Sequence, residues 1–90
     1  MIKAIEVKAL KNFQLFVKFN DGVEGIVDLN HLKSGEAFKY WNDAGNFEKV
    51  YLDGQGIAWN DQLDIDVLNV YLTLTKQSFE EFINKQNHHA

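Results

Sequence analysis

The sequence contains no cysteine, no proline and no arginine, and all nine of its basic residues are lysines. The missing cysteine excludes disulfide frameworks, thiolate metal sites and cysteine nucleophiles. The missing arginine removes the forked guanidinium that grips phosphate groups and guanine bases. Because thirteen acidic residues also give the chain a net charge of −4, we do not expect direct binding to nucleic acid.

Long apolar runs are missing too. The first residues contain no continuous apolar segment of the kind found in signal peptides, and no stretch approaches the roughly 20 apolar residues of a membrane span. The chain is nevertheless 46% apolar and 13% aromatic, which suffices for a packed core without a metal or a disulfide. We therefore expect one domain over residues 1–90, in the cytoplasm, with no membrane contact and no cofactor.

Charge is distributed unevenly along the chain. Residues 1–40 contain six lysines and five acidic residues, whereas residues 41–90 contain three lysines and eight acidic residues. An acidic surface that faces solvent is the simpler interpretation of the second half. The alternative interpretation is a docking face for a basic partner.

A β-hairpin is predicted around Asn20-Asp21-Gly22. Alternating apolar residues indicate strands over residues 13–19 and 23–29. A two-residue turn gives these strands a poor register, whereas a three-residue loop with a left-handed glycine pairs Leu15 with Val27. The second register makes one face wholly apolar, so we expect the three-residue loop.

A strand is expected before this hairpin, and helical turns are expected after it. In residues 2–9, one side of the expected strand carries Ile5, Val7 and Ala9, and this strand should pair with residues 13–19. Residues 29–32 and 36–41 have the pattern of short helical turns. Phe38 and Trp41 of the second turn are expected to face the core.

A second hairpin is predicted at residues 50–59, where a type II′ turn begins at Gly54. Its expected cross-strand pairs are Leu52 with Ile57 and Val50 with Trp59. Residues 66–74 fit either a strand or a helix, and we favour a helix from about Asp66, with Asp64 or Asp66 as its N-cap. A capping box at Ser78 predicts an amphipathic helix over residues 78–86.

These elements together predict an α+β fold. We expect a small antiparallel sheet of about five strands, which contains both hairpins and packs against two to three short helices. The last of these is the amphipathic C-terminal helix.

Several motifs make the chain resemble the bacterial family called domain of unknown function 2442. The resemblance covers about residues 3–72 and rests on the segments Phe19-Asn20-Asp21-Gly22-Val23-Glu24-Gly25, Val27-Asp28-Leu29, Val50-Tyr51-Leu52-Asp53, Ile57-Ala58-Trp59 and Leu63-Asp64-Ile65-Asp66, together with Phe47. It implies a small α+β fold with no established activity. It also implies a domain that occurs alone, ahead of helix-turn-helix domains, or beside small partner genes in a toxin–antitoxin-like arrangement.

Few residues are candidates for catalysis or metal binding. His31 is the only histidine within the predicted elements and has the context of a surface or capping residue. Asp61, Asp64 and Asp66 lack the glycine and the distant glutamate of a calcium loop, so we expect no metal site. A hydrolytic pair such as Asp28 with Asp64 would require convergence in three dimensions, which the sequence does not establish. We therefore expect no enzymatic activity.

The glycines and aspartates of the predicted turns have structural explanations. Asp21 and Gly22 suit the first hairpin loop, Gly54 suits the second, and Asp28 suits a strand end or cap. Trp59 is expected in the core, with its N–H bonded to one acceptor.

The remaining functional hypothesis is a groove for a protein partner, bordered by Trp59, Asp64 and Tyr71. The sequence thus favours a non-enzymatic interaction or regulatory domain, acting through an acidic face or an exposed strand edge. It does not identify the partner, and a homo-oligomer is compatible with it. The alternative is a small-molecule-binding or hydrolytic domain with converging carboxylates.

Overall fold

The computed structural model of the chain describes residues 2–43, 45–54, 56–60 and 63–86, without the side chains of residues 37, 85 and 86. Six strands form two antiparallel sheets of three strands each, in the order β1-β2-β3 and β4-β5-β6. The strands are β1 Ala4–Leu10, β2 Gln14–Phe19, β3 Glu24–Asp28, β4 Tyr51–Asp53, β5 Gly56–Asn60 and β6 Leu63–Ile65. Two α-helices follow, α1 Val67–Thr75 and α2 Phe79–Gln86.

The α+β class is confirmed, but the prediction of about five strands in one sheet is wrong in detail. Residues 63–65 form a sixth strand that was not predicted, since the expectation for this region was a helix from about Asp66 with Asp64 or Asp66 as its N-cap. They fold back onto β5, where Ile65 pairs with Ile57. Two short meanders result because consecutive strands pair through tight connections, and none of the described strands joins the two sheets.

The first hairpin has the predicted register and loop. Leu15 pairs with Val27, and Lys18 pairs with Glu24. The loop is a three-residue connection with a left-handed Gly22 at φ +94°. The Gly22 N–H donates to Phe19 O at 3.0 Å, while the Phe19 N–H donates to Val23 O at 2.8 Å. This pattern is that of a type I turn with a glycine bulge.

The first strand pairs with β2 as expected, but its inward side differs from the prediction. A bulge lies between Ala4 and Glu6, which are paired with Phe19 and Lys18. The bulge shifts the alternation by one residue. Consequently Ala4 is buried, whereas Ile5 is 48% exposed.

The described residues between the two sheets contain short 3-10 helices. Asn30–Leu32 and Glu36–Asn42 confirm the two expected helical turns, whereas Phe47–Lys49 was not predicted. A further 3-10 turn, Lys11–Phe13, joins β1 to β2. In it Asn12 and Phe13 adopt left-handed φ angles of 60° and 57°, a costly conformation for an aromatic residue.

The second hairpin pairs Leu52 with Ile57 as predicted. Gly54 has a φ of +61°, as the first central residue of such a turn requires, and the other central residue, Gln55, lies outside the described residues. The predicted pair of Val50 with Trp59 has the same register as these pairs, but it lies just outside the paired strand. Strand β4 begins one residue later, at Tyr51.

Both α-helices begin where the capping signals predict. Asp66 Oδ1 accepts a hydrogen bond from the Leu68 N–H at 3.1 Å and caps α1. Ser78 and Glu81 exchange the two bonds of a capping box, at 2.9 and 3.1 Å, at the start of α2. The apolar stripe of α2 is only partly buried: Phe82 packs on the core, whereas Phe79 is 57% exposed.

One hydrophobic core joins the two sheets and α1. Aromatic rings concentrate at two places in it. Phe19, Tyr71 and Phe82 form a group near the first hairpin loop. The second, larger group lies near the opposite end of that hairpin and consists of Phe13, Phe38, Trp41, Phe47 and Trp59.

Candidate functional site

A cleft of about 360 Å³ lies where the end of β3, strand β6 and the start of α1 meet. We call it the Asp28 cleft. Its apolar lining comes from Val27, Leu29, Leu32, Phe38, Ile65 and Val70, and its polar lining from Asp28, His31, Asp64, Asp66, Asn69 and Thr73. Val27, Leu29 and Val70 are buried, whereas the three aspartates are exposed. The cleft therefore combines an apolar floor with a rim of carboxylates.

Asp28 is the last residue of β3 and turns the chain out of the sheet. Its Oδ1 accepts hydrogen bonds from the Asn30 backbone N–H at 2.9 Å and from the Asn30 side-chain amide at 2.8 Å. These two bonds are the main cause that holds the pKa of Asp28 below its ordinary value of 3.8, and the nearby His31 and Lys33 contribute less. Within the described residues the second oxygen, Oδ2, accepts no hydrogen bond. Asp28 thus presents an exposed carboxylate at the cleft.

Asn30 also fixes the neighbouring strained turn. Its side-chain amide donates to Asn12 O at 2.6 Å, and the Leu29 N–H donates to Phe13 O at 2.9 Å. These bonds tie the left-handed turn between β1 and β2 to the end of β3. The cleft therefore lies beside a turn whose backbone is fixed by hydrogen bonds from Leu29 and Asn30.

Asp66 and Asp64 supply the other carboxylates of the rim. Asp66 Oδ1 is engaged in the α1 cap, and Asp64 lies in β6 opposite Ala58. Asp61, the third member of the acidic group considered for calcium, lies outside the described residues. Among the residues that the structure describes, no group of three or more histidine, cysteine or acidic side chains is placed to hold a metal ion.

Of the three residues predicted to border a partner groove, only Asp64 lines the Asp28 cleft. Trp59 is buried, and its Nε1 donates to Phe47 O at 2.8 Å, which is the single acceptor expected for it. The nearby Trp41 Nε1 is also buried, but it has no hydrogen-bond partner in the described part of the chain.

Tyr71, the third of these residues, forms a contact that the sequence did not predict. Its hydroxyl donates to Asp21 Oδ2 at 2.6 Å, while Asp21 Oδ1 accepts from the Val23 N–H at 3.0 Å. The hydrogen bond from Tyr71 is the main cause that lowers the pKa of Asp21. The same bond, with burial and the charge of Asp21, raises the pKa of Tyr71 to about 12. The first hairpin loop is thereby tied to α1.

The predicted structural residues occupy the expected places. Asp21 and Gly22 form the first loop, Gly54 forms the second, and Asp28 ends a strand. The residues that sequence analysis missed at the cleft are Asn69 and Thr73, one helical turn apart on α1. Their spacing of four residues predicts only that they share one face of α1. That this face borders the cleft follows from the packing of α1 against β3, which the sequence does not encode locally.

The fold defines a class of small α+β domain, built from two three-stranded meanders and a helix that lies beside a cleft. The chain belongs to the family described as "Protein of unknown function (DUF2442)", whose sequence profile matches residues 4–81. No curated protein and no solved structure matches the chain. Of the helices in the described ranges, none is both long and apolar enough to cross a membrane.

Proposed function

We propose that this chain is a non-enzymatic protein-interaction domain, and that its Asp28 cleft binds a basic segment of a partner protein. The observation that carries the proposal is the exposed carboxylate of Asp28, at a cleft with two further exposed aspartates and an apolar floor. Lysine and arginine side chains match such a site because their stems are apolar and their ends are cationic.

The charge of the chain supports this assignment. The second half of the sequence contains eight acidic residues and three lysines, and it supplies Asp64 and Asp66 to the rim. An acidic surface attracts cationic partners over distances of about 8 Å at physiological salt. The resemblance to a family found beside small partner genes supports the same role, as the binding half of a two-protein, toxin–antitoxin-like module.

A lysine-rich peptide, titrated into the ¹⁵N-labelled chain, tests the proposal by NMR. We expect the amides of residues 64–73 and of His31 to shift with the lysine peptide and not with a glutamate peptide of the same length. Asp28→Asn, which retains an oxygen acceptor for Asn30, should weaken binding about three- to tenfold. Asp53→Asn removes an equal charge from exposed strand β4 and should leave the affinity unchanged. Shifts confined to residues far from the cleft would contradict the proposal.

A specific observation also favours the second candidate, a small-molecule-binding or hydrolytic domain. Asp28, His31 and Asp64 line the same cleft, so a carboxylate pair and an imidazole are near one another. A panel of ester, phosphoester and glycoside substrates distinguishes the two candidates. Turnover that disappears in Asp64→Asn, in a chain that binds no basic peptide, would favour the enzyme.

A further inference from the structure

Strand β3 is an edge strand, and its backbone directions can be assigned. The Phe19 N–H donates to Val23 O, and the Leu29 N–H donates to Phe13 O. Odd-numbered residues of this segment therefore bond to β2, because each residue of an antiparallel strand directs its N–H and C=O to the same side. The N–H and C=O groups of Glu24, Ile26 and Asp28 consequently point away from the sheet.

This outward edge is open. No strand pairs with it in the described residues, where β3 is the last strand of its sheet. Helix α1 covers the face of β3 rather than its edge. A Cβ atom added to Gly25 would lie only 2.8 Å from Leu74 Cδ2, so the helix rests directly on the glycine. Ile26, on the opposite face, is 58% exposed.

The side chains along the edge select against self-association. Two copies of β3 paired antiparallel about Ile26 would place Glu24 of each copy opposite Asp28 of the other. Like charges directly opposite one another destabilise a strand pair, and charged edges are a known protection against edge-to-edge association. An approaching strand with basic residues at those positions would instead form two pairs of opposite charge.

We propose, on the basis of the proposed interaction function, that the open edge of β3 pairs with an extended partner segment in which basic, apolar and basic residues occupy alternate positions. The basic residues lie opposite Glu24 and Asp28, and the apolar residue packs on Ile26. Backbone hydrogen bonds supply affinity in such strand addition, and alternate side chains supply specificity. Because β3 ends at the Asp28 cleft, the segment continues into that cleft.

The probe is a synthetic ten-residue peptide with lysine, valine and lysine at alternate positions and threonine between them. We expect the amide protons of Glu24 and Ile26 to exchange rapidly with solvent in the free chain. With saturating peptide their exchange should slow at least about tenfold, because each forms a new hydrogen bond. The Gly25 and Val27 amides, already bonded to β2, should show no comparable change. A peptide with glutamate in place of lysine should have no effect.

Ile26→Pro removes the outward donor without removing a bond to β2, since proline is tolerated where an edge N–H faces solvent. We expect at least about fivefold weaker peptide binding, because a single backbone hydrogen bond contributes about 1 kcal/mol. Glu24→Lys keeps the backbone intact should the proline variant fail to fold. It should weaken binding of the lysine peptide and recover binding when the facing lysine of the peptide is changed to glutamate.

The outcomes separate this inference from the proposed function. If the peptide shifts the cleft amides but leaves the exchange of Ile26 unchanged, the strand inference is wrong and the cleft proposal stands. If the peptide binds neither region, both are wrong. Peptide-free dimerisation of the chain through β3, detected by light scattering and abolished by Ile26→Pro, would also overturn the inference.

Discussion

Asp21 and Asp28 stand at opposite ends of the hairpin formed by β2 and β3, and they form the same local motif. Each carboxylate accepts, through Oδ1, the backbone N–H of the residue two positions later, at 3.0 and 2.9 Å. The difference lies in the second oxygen. Oδ2 of Asp21 accepts the Tyr71 hydroxyl, whereas Oδ2 of Asp28 has no hydrogen-bond partner among the described residues.

This contrast separates a structural aspartate from one that is available to a ligand. At the loop end, α1 brings a tyrosine to the carboxylate and joins the hairpin to the helix. At the other end, the same helix supplies Asn69 and Thr73 to a cleft that leaves Asp28 accessible. The local motif alone does not distinguish the two roles, because tertiary contacts determine whether the second carboxylate oxygen has a hydrogen-bond partner.

The largest effect is expected at the aromatic group near the Asp28 end. Trp59→Phe removes the N–H that bonds to Phe47 O and leaves a buried carbonyl without a donor. We expect the free energy of unfolding to fall by about 2–3 kcal/mol. Urea unfolding measures it. A loss below about 1 kcal/mol would show that the hydrogen bond from Trp59 to Phe47 O contributes less to stability than its burial implies.

A smaller effect is expected at the loop end. Tyr71→Phe keeps the ring packed against Phe19 but removes the hydroxyl bonded to Asp21. The expected loss of unfolding free energy is about 1 kcal/mol, because water can solvate the exposed Asp21 in its place. Tyr51→Phe, at an exposed ring, is the matched control and should be neutral. Equal stability of Tyr71→Phe and the unmodified chain would contradict the tie between hairpin and helix.

The pH dependence of the free energy of unfolding should also reveal the hydrogen bond between Tyr71 and Asp21. The pKa of Asp21 is lowered in the folded state, so its contribution is present above the ordinary value of 3.8 and is lost as pH falls through the lowered pKa. The pKa of Tyr71 is raised from 10.0 to about 12, so its contribution is present below pH 10 and is lost as pH rises towards 12. The stability difference between the chain and Tyr71→Phe should therefore be greatest between these limits and shrink at both. A difference independent of pH would contradict this account.

The smallest effect is expected at the strained turn beside Asp28. Asn12 has a φ of 60°, a conformation that glycine adopts without a steric penalty. Because asparagine also tolerates this conformation and glycine loses more backbone freedom on folding, Asn12→Gly should change the free energy of unfolding by less than about 0.5 kcal/mol, measured by thermal unfolding. Gly is not strained at this φ, so a destabilised variant would indicate that the asparagine side chain has a role beyond the turn.

Sequence reasoning succeeded where the signal was local. The first hairpin register followed from apolar alternation and a loop glycine, and both helix caps followed from short polar motifs. It failed where distant segments meet. The contact between Tyr71 and Asp21 joins residues 50 positions apart, and no periodicity encodes it.

The sheets and the cleft show the same limit. The bulge that exposes Ile5 has no proline or glycine to mark it, and the sixth strand exists only because residues 63–65 fold back onto β5. For the cleft, the sequence names Asp28 and Asp64 as a candidate pair, but only the tertiary structure shows that both line one cleft.

The most direct test of the contrast is the side-chain carboxyl ¹³C shift of both aspartates at pH 7, before and after the lysine peptide is added. The account predicts that the Asp28 signal moves with the peptide concentration while the Asp21 signal stays in place. Movement of Asp21, or an unchanged Asp28 signal while the peptide binds, would contradict it.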